Sequence, residues 1–409
     1  MSVYLTSIQI NKVFHLEDIL IELDPNEKKH LILTGKNGSG KTSLLIALVD
    51  FLQTIKSDPN LNILRLREIL QHWDEEVRIG KMNNNPTAIH NAEISRNRFK
   101  EKLDSVFEKV ELGFNDLEEP PSQLQNHDFV IAYYSATRKT HVSILNTPEK
   151  PNLNPSNNIR LSKIEEFLKF LVDLKIQEAL ARNENQGNAA NEIKSWFVNF
   201  TELLQKIFEG DPVSLDFNYK DYSFTINQAG RKFGFNELSD GYSAVIDIVA
   251  DLIIKMQEQN SLTRAYEKEG IVLIDEVETH LHLKLQRLIL PMLTQIFPNI
   301  QFIVTTHSPF VLSSLDNAVA YDLEKQSRLE DLTEYSYEAL AEGYFNVKTE
   351  SSFLAAKLEK FETLSQMRKK DSAQLAEYQS LDEEFASMDD ALAPPNIKGQ
   401  YLQIKLNER

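Results

Sequence analysis

Gly35-Lys36-Asn37-Gly38-Ser39-Gly40-Lys41-Thr42-Ser43 stands between two apolar runs, His30-Leu31-Ile32-Leu33-Thr34 before it and Leu44-Leu45-Ile46-Ala47-Leu48-Val49 after it. The spacing is G-x-x-x-x-G-K-[ST], and the flanks supply the strand-before, helix-after context that gives this pattern meaning. Gly35, Gly38 and Gly40 permit a tight turn whose successive backbone N–H groups point inward at a phosphate chain. The helix that follows adds the positive end of its dipole. Lys41 can then reach the terminal phosphates, and Thr42 can offer its hydroxyl to Mg²⁺. The stretch therefore predicts a nucleoside triphosphate site lined by residues 35–43, on an α/β fold.

The remaining composition narrows the class. The 409 residues suffice for two or three domains, and 42% hydrophobic with 26% charged residues is ordinary for a globular chain. No apolar run reaches the ~18 residues of a membrane span. The first residues, Met1-Ser2-Val3-Tyr4, lack the pattern of a secretory signal, so a cytoplasmic protein is expected. The absence of cysteine excludes disulfides, thiol nucleophiles and thiolate metal sites. A net charge of −17 disfavours a surface that binds nucleic acid everywhere, though not a local basic groove.

Along the chain, residues 3–23 alternate apolar and polar as a hairpin, and 30–34 form the buried strand that feeds the phosphate loop. A helix from Lys41 to about Ile55 ends before Ser57-Asp58-Pro59. Residues 57–126 read as a helical insertion and carry Arg96, Arg98, Lys100 and Lys102, either a solvated face or a nucleic-acid or partner contact. A strand returns at Phe129–Tyr134, in a segment set at 127–150. A second helical insertion covers 151–210, and 211–325 begins with paired strands at 213–219 and 222–226.

Chemistry gathers in that last segment. Gly270-Ile271-Val272-Leu273-Ile274 runs unbroken into Asp275 and Glu276, as a buried parallel strand opening onto a ligand crevice would. Asp275 would hold Mg²⁺ through water, and Glu276 would orient or deprotonate the attacking water. Ile300–Thr306 is a second such strand, ending at His307, which could sense the terminal phosphate. Ser239, Asp240 and Gly241 open the apolar helix from Val245 to Ile253 and form a second phosphate-binding nest.

In this order, the phosphate loop, Leu238-Ser239-Asp240-Gly241-Tyr242, the acidic strand and His307 closely resemble the ABC-type ATPase head of the SMC, RecF and OLD branch. Val277-Glu278-Thr279-His280-Leu281-His282 resembles its D-loop, with Leu283 where a proline is usual. The resemblance implies a P-loop NTPase with a mixed sheet and flanking helices, ATP and Mg²⁺ as ligands, and two protomers sandwiching two ATP molecules. Ser239 and Gly241 of one protomer would then meet the phosphate held by Lys41 of the other. The family's Q-loop glutamine belongs after Tyr134, where Ser135-Ala136-Thr137-Arg138 stands, so Arg138 is a substitute candidate. Phe14 and His15, after the first strand, are candidates for the adenine contact. The compact layout is similar to ATPase subunits of anti-phage systems of the Septu, PARIS and retron-associated kinds.

Residues 326–409 contain no Asp-x-Asp pair, and the last histidine is His307, so neither a TOPRIM nor an HNH nuclease is expected there. Phe353, Leu354, Leu358, Phe361 and Leu364, then Leu375, Tyr378, Leu381, Phe385, Met388 and Leu392, predict amphipathic helices ended by Pro394-Pro395, an oligomerisation or docking element. Asp382-Glu383-Glu384 and Asp389-Asp390 read as a solvated face or a contact for a basic partner. Three functions compete: an ATP-driven switch controlling a separately encoded nuclease or toxin, a DNA-repair ATPase closing around DNA, and a non-hydrolysing scaffold stabilised by ATP.

Overall fold

A computed structural model of the chain describes residues 2–58, 63–115, 122–125, 128–137, 147–154, 156–257, 267–329, 332, 337, 339–340, 352–367, 369–388 and 395–407. It divides into two compact units, Met1–Glu334 and Tyr335–Arg409. The first is organised by a six-stranded sheet of order β12-β11-β3-β10-β9-β5. Its members are β3 (His30–Thr34), β5 (Val130–Tyr134), β9 (Gly270–Ile274), β10 (Ile300–Thr305), β11 (Ala318–Asp322) and β12 (Ser327–Leu329). Five of these pair in parallel, and β12 closes the edge antiparallel to β11. Every residue of β3, β9 and β10 is buried, which is why these strands are continuous apolar runs rather than alternating ones. Parallel register brings Thr34, Ile274 and Thr305 to the same edge, where an open α/β sheet presents its crevice.

A three-stranded antiparallel sheet, β2-β1-β4, lies beside it. The expected hairpin is β1 (Leu5–Val13) with β2 (Leu16–Glu22), and the third strand is β4 (Val110–Phe114). Gln301 of β10 joins the two sheets: its amide accepts from Leu5 N at 2.7 Å and donates to the carbonyls of Leu5 (3.0 Å) and Lys29 (2.7 Å), fully buried. Helix α1 (Lys41–Ser57) buries Leu44, Leu45, Leu48, Phe51, Leu52 and Ile55 at helical spacing, in one core with β1, β2 and β4.

The stretch 57–126 is not wholly helical. Helices α2 (Ile63–Met82) and α3 (Pro86–Phe107) form a hairpin, with Asn85 accepting from Ala88 N at 3.1 Å to cap α3. The chain then returns as β4, whose Val110, Leu112 and Phe114 alternate into the core. Helices α4 (Ile164–Asn183) and α5 (Gly187–Ile207) meet through Phe167, Phe170, Trp196 and Phe200, with Trp196 and Phe200 stacked at 5.3 Å. The paired strands β6 (Val213–Asn218) and β7 (Ser223–Gln228) gain a third, β8 (Arg231–Gly234). It is joined by Ala229 and Gly230, both at positive φ, the two-residue turn that suits strand twist. Helices α6 (Asp240–Met256), α7 (Leu283–Ile296) and the short α8 (Pro309–Leu312) complete this unit.

The second unit holds α9 (Ser352–Ser365), α10 (Ser372–Ala386) and α11 (Pro395–Asn407) around Leu358, Phe361, Leu364, Leu381, Phe385, Ile397 and Tyr401. Here the expectation at Pro394-Pro395 is corrected. Pro395 opens α11 instead of marking the end of the helices, because the first helical residue has no intrahelical N–H bond to lose. Phe353 and Leu375 fit the apolar spacing yet are exposed. Leu392, Asp389 and Asp390 lie outside the described residues. The boundary at 326 also shifts, since β12 belongs to the large sheet. Among the described residues no helix is long and apolar enough to cross a membrane.

Candidate functional site

The loop between β3 and α1 takes its shape from three glycines at positive φ: Gly35 (134°), Gly38 (84°) and Gly40 (93°). Gly40 is doubly constrained, because a Cβ there would stand 2.9 Å from Leu16 Cδ1 and 3.6 Å from His15 Cε1. The β1–β2 turn thus leans on the phosphate loop, which puts His15 beside it. Phe14, at φ 57° and 73% exposed, meets His15 edge-on at 4.9 Å. Ser39 and Lys41 are buried, whereas Lys36, Asn37, Gly38 and Thr42 face solvent and Ser43 is half-buried. Lys41 Nζ donates to the carbonyls of Gly35 (2.8 Å) and Lys36 (3.0 Å). Burial pushes the Lys41 ammonium down, against the upward pull of Glu276, Glu278, Asp275 and Asp322.

Asp275 ties the loop to the sheet. Its Oδ1 accepts from Thr42 Oγ1 at 3.2 Å and from Thr305 Oγ1 at 2.7 Å, while its N–H bonds Tyr134 O at 2.8 Å. Glu276 turns sharply away at φ 43°, and its N–H donates to Thr305 Oγ1 at 2.7 Å. A non-glycine residue in that region is strained and is held only by its surroundings. Glu278 then accepts from Thr306 Oγ1 (2.8 Å) and from the backbone N–H of His307 (2.5 Å). Ser308 Oγ donates to Gln286 Oε1 at 2.7 Å. The turn after β10 is thereby fastened, residue by residue, to the segment after β9. His307 is half-buried, and burial together with the Lys41 charge lowers its pKa. That shift favours the neutral imidazole, which can accept as well as donate a hydrogen bond.

Thr42, Asp275, Glu276 and His307 are thus gathered around Lys41. Ser239, Asp240 and Gly241 are placed differently. Ser239 is the N-cap residue of α6 but makes no side-chain cap bond, and both Ser239 and Asp240 are exposed. Gly241 packs its backbone on the D-loop segment, where a Cβ would stand 2.9 Å from His280 O. Arg138 lies outside the described residues. Sequence reasoning missed Glu278, Thr305, Thr306 and Asp322 as contributors. Asp322, buried at the end of β11, has its Oδ1 3.2 Å from where a Gly35 Cβ would lie, and it accepts from Glu324 N at 2.8 Å. Glu324 in turn pairs with Lys36 at 2.7 Å on the surface. The one available signal for these residues was position: each sits within a few residues of a parallel strand's C-terminal end.

Mg²⁺ keeps several waters and takes one or two carboxylates alongside substrate phosphates, so Thr42 and Asp275 fit it without a dedicated protein cage. No cluster of three or more histidine, aspartate or glutamate side chains suited to a metal occurs among the described residues.

The family model described as "AAA domain, putative AbiEii toxin, Type IV TA system" matches residues 31–313, well over half of the chain. The chain is 28% identical over 306 residues to the Septu protein PtuA of Bacillus mycoides (strain KBAB4), covering 73% of this chain and 37% of that protein. It is 33% identical over 145 residues to the retron Vc95 "probable ATPase" of Vibrio cholerae serotype O1 biovar El Tor, covering 34% of this chain and 28% of that protein. The chain thus spans little more than a third, at most, of the length of these curated relatives. Among solved structures, the SMC head domain from Thermotoga maritima is similar at 13% identity with a TM-score of 0.36, over 78% of this chain and 94% of that one.

Proposed function

The chain belongs to the AAA-domain family just described, and from that premise we propose that it is an ATP-hydrolysing switch subunit. In this reading it closes head-to-head on a second copy around ATP and controls a separately encoded effector, a nuclease or toxin, in anti-phage defence. The observation that carries the reading is the contrast between a fully built phosphate loop and an exposed, uncapped Ser239 at the start of a 17-residue helix. A donor at a helix N-terminus is a ready phosphate contact, and here it faces outward, where a second protomer would meet it.

Within one protomer, the N–H groups around Gly38 and Gly40 and the Lys41 ammonium would bind the phosphate chain. Thr42 and Asp275 would hold Mg²⁺, which supplies charge neutralisation at the phosphates when bound. Glu276 would orient the attacking water and take its proton, and His307 would hydrogen-bond the terminal phosphate. Thr305 and Glu278 hold those two in position. ATP would stabilise only the assembled state, so association follows from ligand linkage. The PtuA and retron relatives support a defence role with an effector as partner. The test is Glu276→Gln with ATP: a stable ATP-bound dimer by light scattering is expected, and the switch reading fails if the variant neither retains ATP nor changes oligomeric state.

A DNA-clamping ATPase is the second reading, supported by exposed Arg98, Lys100 and Lys102 on α3, whereas Arg96 is engaged with Asp74 at 2.5 Å. DNA-stimulated turnover that disappears when those three are neutralised would favour it; salt-independent or absent binding would remove it.

A further inference from the structure

At the edge of the large sheet, by the first residues of β5, a small cleft opens among the end of α1, the end of α6 and the start of α4. Lys56, Lys163 and Lys255 line it with Ser156, against an apolar wall that includes Phe129 and Val130, and no carboxylate is among the lining residues. Lys56 is 6% exposed and donates to Phe129 O at 2.9 Å. Burial and the nearby Lys268 push its ammonium down to about 8. Burial and Lys255 likewise lower Lys163.

Helix electrostatics explain part of this arrangement. Lys56 and Lys255 occupy the last turns of α1 and α6, where a cation is favourable. Lys163 is the opposite case: it is the N-cap residue of α4, at the positive end of the dipole and within reach of a like charge. Its ammonium bonds the carbonyls of Asn152 and Asn154. Asp251, fully buried, is shared three ways: it accepts from Tyr134 OH at 2.6 Å, from Lys163 N and from Lys255 Nζ, while Asp128 and Glu166 pull Lys56 and Lys163 upward from outside the lining. Three lysines therefore border a cleft that no carboxylate lines, and the buried Asp251 beside it balances Lys255 alone among their ammonium groups.

We infer that this cleft is a second anion site, separate from the phosphate loop, that takes a phosphate dianion or a terminal phosphate monoester between Lys56, Lys163 and Lys255. A tetrahedral anion offers enough acceptors for three ammonium groups and the Ser156 hydroxyl at once. The site joins the far ends of α1 and α6, the helices that begin at Lys41 and, after the Ser239 cap, at Asp240. Its occupancy would stiffen both helices together.

The test uses the full chain carrying Lys41→Ala, which weakens phosphate binding at the phosphate loop and leaves the cleft intact. Titration with inorganic phosphate, followed by calorimetry, should show one phosphate per chain. Adding Lys163→Gln should weaken it by roughly tenfold, and Lys56→Gln by as much or more. Lys163 is only half-buried, so its variant remains informative if the Lys56 variant fails to fold. A 5′-phosphorylated dinucleotide that competes with phosphate, when its 5′-hydroxyl counterpart does not, identifies a monoester terminus; failure of both dinucleotides to compete assigns the site to the free ion. No binding to the Lys41→Ala chain, or binding unchanged by Lys163→Gln, overturns the proposal.

Discussion

Two helices of the first unit begin at glycine-bearing turns, and they begin in opposite ways. At α1 the backbone is bent by three positive-φ glycines, Ser39 and Lys41 are buried, and Thr42 is bonded to Asp275 across the sheet. At α6 the N-cap serine is exposed and makes no cap bond, and only Gly241 is held, against His280 O. The first start is finished by its own chain. The second leaves its cap serine exposed to solvent. On the proposed reading, the difference teaches that a phosphate-binding helix start can be built complete or built as half of a site, and that burial of the polar side chains tells the two apart.

The hardest test of this contrast removes chemistry from the finished half. Glu276→Gln should lower ATP turnover by roughly 10²-fold or more while nucleotide binding survives. Lys41→Ala should lose binding itself, measured with a fluorescent ATP analogue. Equal loss of binding in both variants would break the division of labour. Next in size is the open half: Ser239→Arg should leave nucleotide binding by the single protomer within about twofold and abolish ATP-dependent dimerisation, with turnover falling roughly tenfold or more. Sedimentation with and without ATP reads this directly, and a dimer that persists would mean Ser239 is a surface serine only.

Glu278→Gln comes third, because Oε2 accepts from Thr306 and Oε1 from His307 N, and an amide keeps an acceptor at only one of those two places. Turnover should fall by about tenfold with KM little changed, whereas Glu278→Ala should lose more, since misplacement of a reacting group is costly. An effect of another kind, on stability and not on turnover, lies beneath the finished half, in β3. His30 is buried, its Nδ1 accepts from Phe302 N at 3.0 Å, and burial with Lys28 and Lys29 holds its pKa down to about 4. The folded chain therefore refuses a proton that the unfolded chain accepts near 6.5. This contribution is intact above pH 6.5 and declines as pH falls toward 4, by about 3 kcal/mol in total. Urea midpoints between pH 7 and 5 should drop more steeply for wild type than for His30→Asn.

Sequence alone exposed the parts of this molecule whose signal is local. β3, β9 and β10 are apolar end to end because both faces are covered, and the phosphate loop carries its glycines at fixed spacing. β4 escaped because five residues, Val110–Phe114, follow two long helices, and their pairing partner, β1, lies about a hundred residues away. α11 escaped because proline stops one helix and starts another equally well. Glu278 looked like one letter of a D-loop, and its work is visible only once β10 brings Thr306 and His307 within reach of it.

Glu276 has one further consequence. Its φ of 43° is a geometry that glycine or asparagine would adopt with less strain, so the residue placed at the centre of the proposed chemistry is not the one the backbone prefers. A library of variants ranked by folding stability would favour replacements at 276 that cannot accept a proton. A library ranked by turnover would discard them. At this one position the two selections would run in opposite directions.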